Sequence, residues 1–162
     1  MSSAVISEVG PQDVDEVVGL FAAYLVFYGV QCDRDAVHDY LAARVRARQS
    51  LVLCARARGG SLVGFVQVYP GFSSLSLAAV WTLNDLYVAP SARCTGVGRL
   101  LVREVCRRAG AAGAVRVDLA TAEGNRGAQA LYEAEGFRVE RGVRHYSRAV
   151  DAPETAPATG GG

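Results

Sequence analysis

Residues 84–101 hold the densest chemistry in the chain. An apolar stretch, Asn84-Asp85-Leu86-Tyr87-Val88-Ala89-Pro90, runs into the loop Arg93-Cys94-Thr95-Gly96-Val97-Gly98. A helical pattern, Arg99-Leu100-Leu101-Val102-Arg103, follows at once. A strand that stops at proline and turns through glycines into a helix leaves free backbone N–H groups at the helix start. With the positive end of the helix dipole they form an anion site suited to a pyrophosphate, so the loop points to a phosphate-bearing cofactor. Three glycine-loop designs compete. A P-loop requires lysine and then serine or threonine after its last glycine, where Arg99 and Leu100 stand. A dinucleotide fingerprint requires a third glycine where Leu101 stands, and it opens the first βαβ unit of its fold. What remains is Arg-x-x-Gly-x-Gly behind a strand and a proline.

Cysteine and histidine give no second chemistry. Cys32, Cys54, Cys94 and Cys106 are scattered without a C-x-x-C spacing, and the chain has only two histidines. Reduced thiols are the expectation, with neither a disulfide framework nor a metal site. Cys94 stands apart because it falls in the glycine loop, either as an inert residue or as an oxidisable thiol.

The elements that must position the loop follow from periodicity. Residues 4–9 alternate weakly as a first strand. Pro11-Gln12-Asp13 then opens a helix, with Val14, Val17, Val18, Phe21, Leu25 and Tyr28 on its apolar face. A second helix is expected over 33–48, with Val37, Tyr40, Leu41 and Val45 inward, and Arg44, Arg46 and Arg48 on a solvated face. Residues 51–57 and 62–69 read as strands joined by Arg58-Gly59-Gly60-Ser61, a hairpin whose glycines supply positive φ. Residues 70–76 read as a loop and 80–88 as a strand. A helix follows over 96–109, a strand over 115–119 and a helix over 125–135 stopped by Gly136. Val139 and residues 143–147 read as closing strands. The order β-α-α-β-β-β-α-β-α-β-β makes an α/β domain with a mixed, mostly antiparallel sheet and helices on both faces. Residues 1–150 form one domain, and 151–162, rich in Pro, Ala, Thr and Gly, read as a disordered tail.

Composition sets the class. At 162 residues with 51% apolar and 20% charged side chains, the chain suits one globular domain with a real core. A net charge of +1 gives no footprint for nucleic acid or an anionic membrane. No apolar run is long enough to span a bilayer, and Met1-Ser2-Ser3-Ala4-Val5 lacks the regions of a signal peptide. A cytoplasmic protein is the expectation.

Residues 84–137 resemble the GNAT superfamily of acyl-CoA-dependent N-acyltransferases. The likeness lies in Leu86-Tyr87-Val88-x-Pro90 and Arg93-x-x-Gly96-x-Gly98-x-x-Leu101, then in Asn125-x-x-Ala128-x-x-Leu131-Tyr132-x-x-x-Gly136-Phe137. Residues 65–74, with Trp81-x-Leu83-Asn84-Asp85, look similar to the branch of diamine and D-amino-acid N-acetyltransferases. The resemblance implies a GNAT-like sheet of about six to seven strands flanked by about four helices. It implies acetyl-CoA as co-substrate, no metal, and a homodimer joined through the closing strands.

It also implies roles for residues. Backbone groups of Leu86, Tyr87 and Val88 would pair with the pantetheine arm as an extra strand does. The amides of Cys94, Thr95, Gly96, Val97, Gly98 and Arg99 would hold the pyrophosphate, with Arg93 and Arg99 adding charge. The N–H of Leu86 or Val88 would polarise the thioester carbonyl. Tyr132, at the cofactor, would protonate the departing thiolate. Asn125 either touches the cofactor or caps its own helix.

The base is the open position. An attacking ammonium must first lose a proton. Many members of the superfamily carry a glutamate where this chain has Thr82 or Asn84, and neither takes a proton near neutrality. Asp85 is the nearest carboxylate, yet strand alternation puts it on the opposite face from Asn84 unless a bulge intervenes. Proton removal then runs through water held by Asn84, Asp85 or Thr82, through His145, or is little needed for an amine of low pKa. Tyr24, Tyr28, Phe72 and Trp81 are the aromatic substrate-side candidates, with Tyr28 and Trp81 nearest a pocket and Asp85 beside them. So few acidic groups favour an amino acid or small monoamine over a polyamine. The expected activity is transfer of acetyl from acetyl-CoA to a small primary amine in a ternary complex. The alternatives are a non-catalytic acyl-CoA sensor and a protein-tail acetyltransferase.

Overall fold

A computed structural model describes residues 4–151. The elements are β1 (Val5–Glu8), α1 (Val14–Phe27), α2 (Arg34–Arg46), β2 (Leu51–Arg56), β3 (Leu62–Ser73), β4 (Ala78–Val88), a single 3-10 turn (Pro90–Ala92), α3 (Val97–Ala111), β5 (Ala114–Leu119) and α4 (Arg126–Ala134). The strands lie in the order β1-β2-β3-β4-β5. Each pair from β1 to β4 is antiparallel, and β5 joins β4 in parallel through the α3 crossover.

Alternation along the central strands builds a core on each face of the sheet. Val52, Cys54, Phe65 and Tyr87 point to α1 and α2, where Val14, Val17, Phe21 and Leu41 meet them. Leu53, Ala55, Val66 and Leu83 point the other way, onto Val97, Leu101, Val102 and Val105 of α3. Asp33 caps α2 through the amide of Asp35, and Asn125 caps α4 through the amide of Ala128 at 3.2 Å.

Two expectations are corrected. Among the described residues the sheet has five strands, not six to seven, because the closing strands at Val139 and 143–147 do not form. Gly142 turns the chain at positive φ, and Val139, Val143, Tyr146 and Val150 face solvent. No burial offsets the entropy of ordering that segment in a sheet. The region 70–76 is also not all loop, since β3 continues to Ser73 with Pro70 opposite Trp81. That proline is tolerated because β2 ends opposite Val68, leaving Pro70 at a free edge. The tail expected over 151–162 lies outside the described residues except for Asp151. Among the described residues no helix is long and apolar enough to cross a membrane.

Ion pairs fasten α3. Glu104 accepts from Arg107 Nε and Arg108 Nε, each at 2.8 Å, and these bonds pull its carboxyl down to about 2. A depressed carboxyl stabilises the fold fully above its ordinary value of 4.5 and loses that contribution as pH falls through about 2. Glu104→Gln should therefore melt below the wild type near neutrality, with the gap closing in acid. Melting curves showing the same gap at about pH 7 and about pH 2.5 would contradict this.

Candidate active site

The sheet opens where the glycine loop begins. β5 follows β4 only as far as Leu83↔Leu119, whereas β3 pairs with β4 up to Gly64↔Val88. From Asn84 to Val88 one edge of β4 therefore has no strand beside it, a gap that an extended ligand can enter by pairing with the backbone. The chain then passes the Pro90–Ala92 turn, takes positive φ at Cys94 and at Gly96, and starts α3. Leu100 is the first residue whose amide reaches back, to Gly96 O at 3.0 Å. The amides of Val97, Gly98 and Arg99 belong to the unpaired first turn. Thr95 Oγ1 donates to Ala92 O at 2.7 Å and closes the loop.

Close packing holds this loop against its neighbours. A Cβ on Gly98 would stand 3.2 Å from Leu131 Cδ2 and 3.7 Å from Val88 Cγ2, so α3, α4 and the end of β4 meet there. The two arginines have structural partners. Arg93 Nε donates to Val88 O at 3.1 Å, and its guanidinium stacks over Phe27 and Tyr87. Arg99 Nε pairs at 2.9 Å with Glu135, which also takes Arg103 Nε at 2.6 Å. These bonds, led by that from Arg103, hold the Glu135 carboxyl below its ordinary value. Glu135 thus ties α3 to α4 and aims the helix start.

Tyr132 lies on α4 in the α3-side core, its ring 5.8 Å from Phe137. Burial, together with the nearby Tyr28 phenol on α1, pushes its hydroxyl up to about 12. The hydroxyl therefore stays a proton donor through the whole neutral range.

On the other face a bulge settles the geometry of the Asn84-Asp85 pair. Gln67 sits opposite Asp85 and Val68 opposite Leu83, so Asn84 is the extra residue in β4. Leu83 and Leu86 both keep to the α3 side, and Asn84 and Asp85 together line one cavity under α1 and α2. The cavity measures about 360 Å³ and is walled by Phe21, Tyr24, Tyr40 and Tyr69. Asp85 is buried, and its Oδ2 accepts from Gln67 Nε2 at 2.9 Å and from Asn84 Nδ2 at 3.1 Å. Tyr24 lines the same cavity. Burial first, and then the nearby Asp85 carboxylate, hold the Tyr24 proton well above the ordinary phenol range. Across the cavity Tyr69 Oη and Tyr40 Oη lie 2.6 Å apart. The result is one buried carboxylate in a mainly aromatic chamber beside the open β4 edge.

The sequence candidates divide accordingly. Asn84, Asp85 and Tyr24 are brought together in the cavity. Trp81 is buried in the α3-side core instead, and Phe72 is exposed on the β3–β4 hairpin. Tyr28 caps α1, half-exposed, with its ring 5.0 Å from that of Tyr24. Thr82 is exposed within the paired part of β4, opposite Tyr69 and Asp118, and His145 is exposed in the unpaired segment after α4. Sequence reasoning missed Gln67, Tyr40, Tyr69 and Glu135. A polar Gln67 inside the apolar run Phe65-Val66-Gln67-Val68 was the one available signal.

Comparison with known proteins agrees with this geometry. Residues 15–137 match the family described as Acetyltransferase (GNAT) family. The uncharacterized N-acetyltransferase YhfO of Bacillus subtilis is 36% identical over 147 residues, which are 91% of this chain and 98% of that one. The D-amino-acid N-acetyltransferase HPA3 of Saccharomyces cerevisiae is 34% identical over 82 residues, 51% of each chain. A crystal structure of a probable acetyltransferase superposes with a TM-score of 0.85 at 35% identity, covering 92% of this chain and 99% of that one.

Proposed function

This chain belongs to the GNAT acetyltransferase family, and on that premise we propose that it moves the acetyl group of acetyl-CoA onto the primary amine of a small molecule, an amino acid or small monoamine. That it is an enzyme using an acyl-CoA follows from the family itself. The observation carrying the finer reading is the bulge at Asn84, which aims a buried carboxylate into a cavity beside the unpaired edge of β4. The partial likeness to a D-amino-acid N-acetyltransferase supports the same acceptor class.

The residues fit the co-substrate. The free edge from Asn84 to Val88 suits an extended pantetheine arm, and the first-turn amides of α3 suit a pyrophosphate. Arg93 and Arg99 add positive potential to the loop from positions fixed by Tyr87 and Glu135. When bound, acetyl-CoA supplies an activated acyl carbon and a thiol leaving group. Asp85 takes the proton of the acceptor ammonium, and Asn84 and Gln67 hold the carboxylate in place for that step. The freed nitrogen forms the new C–N bond as the C–S bond breaks, and the second proton it sheds in becoming an amide passes to water. The N–H of Leu86 or Val88 steadies the carbonyl oxygen, and Tyr132 returns a proton to the sulfur. Asn125 acts as a helix cap and so orients Tyr132.

We take residues 1–150 as a single catalytic domain that works as a homodimer. Support comes from β5, whose outer edge is unpaired, and from the exposed Val139, Val143 and Tyr146 after α4. The four cysteines are all free, which suits the reducing cytoplasm.

A thiol-release assay with acetyl-CoA and a panel of amino acids and small monoamines tests the activity. Turnover with members of the panel is the expected result, and release with none of them would overturn it. The loop has its own test. Gly96 holds φ 92°, a conformation that costs other residues about 1–2 kcal/mol. Gly96→Ala should raise the KM for acetyl-CoA by about tenfold, with the KM for the amine moving far less.

A further inference from the structure

Two buried polar atoms of opposite kinds have no partner, one on Gln67, which lines the acceptor cavity, and one on Arg44, which stacks on the lining residue Tyr40. Gln67 Oε1 is a buried acceptor with nothing to accept from, because Gln67 Nε2 is the atom committed to Asp85. Arg44 Nε is a buried donor with nothing to donate to. Leaving such groups unpaired costs stability, most of all for a charged donor. Arg44 lies one turn after Tyr40 on α2, and its guanidinium stands 5.2 Å from the centre of the Tyr40 ring. Tyr40 and its hydrogen-bonded partner Tyr69 line the cavity. Asp85 lines the same cavity, so the Tyr40–Tyr69 pair shares the chamber with that carboxylate while Arg44 stacks on Tyr40. Several arginines have no carboxylate partner, but among the described residues only Arg44 combines that with a buried, unpartnered guanidinium nitrogen.

We propose that Arg44 binds the carboxylate of the acceptor, so that the substrate is a zwitterion: an amino acid whose ammonium meets Asp85 and whose carboxylate meets the Arg44 guanidinium. This rests on the acetyl-transfer reading above and narrows it. An uncharged monoamine would satisfy only the Asp85 end, and a diamine would bring a second cation to a guanidinium. A zwitterion supplies a cation to Asp85 and an anion to the Arg44 guanidinium, the two charged groups on this side of the sheet that the cavity joins through Tyr40. The Tyr40–Tyr69 pair then forms the wall against which the body of the substrate packs.

The test compares two acceptor series under saturating acetyl-CoA. Glycine, β-alanine and γ-aminobutyrate carry the carboxylate, and methylamine, ethylamine and propylamine lack it. The wild type should favour at least one amino acid over its matching amine by about tenfold or more in kcat/KM. Arg44→Gln should erase that preference by raising KM for the amino acids about ten- to a hundredfold, with less than a twofold change on the amines. Arg44→Lys, which keeps the charge, should recover part of the loss. A wild type indifferent to the carboxylate, or a variant impaired equally on both series, would overturn the role of Arg44 while leaving acetyl transfer standing. No transfer to any member of either series would overturn both.

Discussion

Asp85→Asn is expected to lower kcat/KM for the acceptor amine by about a hundred- to ten-thousandfold while leaving acetyl-CoA binding within about twofold of the wild type. The substitution keeps the shape of the side chain and an oxygen to accept from Gln67 Nε2 and Asn84 Nδ2. It removes the negative charge that draws in an ammonium and the basicity that takes its proton. Both effects fall on the acceptor: KM rises as the charge is lost, and kcat falls as the base is lost. Acetyl-CoA is held elsewhere, by the β4 edge and the start of α3, so calorimetry with acetyl-CoA should not register the change. Thiol release at varied amine concentration reads the two constants separately. If Asp85 only braced the bulge, the asparagine would serve nearly as well and the rate would hold.

Tyr132→Phe should lower kcat by about ten- to a thousandfold with little effect on either KM. The loss is bounded because a CoA thiol has a pKa near 8.5, so its anion departs with modest help. The structure adds a pH signature. An acid serves while it is protonated, and burial pushes the Tyr132 hydroxyl up to about 12. The wild-type rate should therefore rise as the amine deprotonates and show no alkaline fall up to about pH 10, where an ordinary phenol would already be half ionised. A fall centred near pH 9, or a phenylalanine variant with wild-type kcat, would remove Tyr132 from the step.

Much of this arrangement was legible in the sequence, for identifiable reasons. The helix starts and the glycine turn are local: Asp33, Asn125 and Gly96 act within a few residues of where they stand. The motif around Arg93-x-x-Gly96-x-Gly98 fixed the start of α3 because only backbone conformation is at issue there. The bulge was not legible, since Asn84 is extra only by comparison with the register of β3, sixteen or so residues away. Strict alternation separates Asn84 from Asp85, and a single inserted residue reunites them. Trp81 misled for a related reason, as an aromatic on β4 belongs to whichever face its register gives it, and here that is the α3 face. Arg93 and Arg99 look like free charges in sequence, yet their partners Tyr87 and Glu135 come from other elements. Gln67 and the Tyr40–Tyr69 pair are long-range too, linking α2, β3 and β4 across the cavity. The closing strands were expected from short apolar runs whose side chains find no core to enter.

The central claim is that the acceptor nitrogen reaches the acyl carbon from the Asp85 cavity. A crystal structure of the protein with CoA and an N-acetylated product of the active panel tests it most directly. The account predicts CoA along the unpaired edge of β4, with the amide nitrogen of the product within hydrogen-bond reach of Asp85, at about 2.6–3.2 Å or through one water. A product nitrogen on the α3 side of the sheet, or a cavity left empty with Asp85 still bonded only to Gln67 and Asn84, would contradict it.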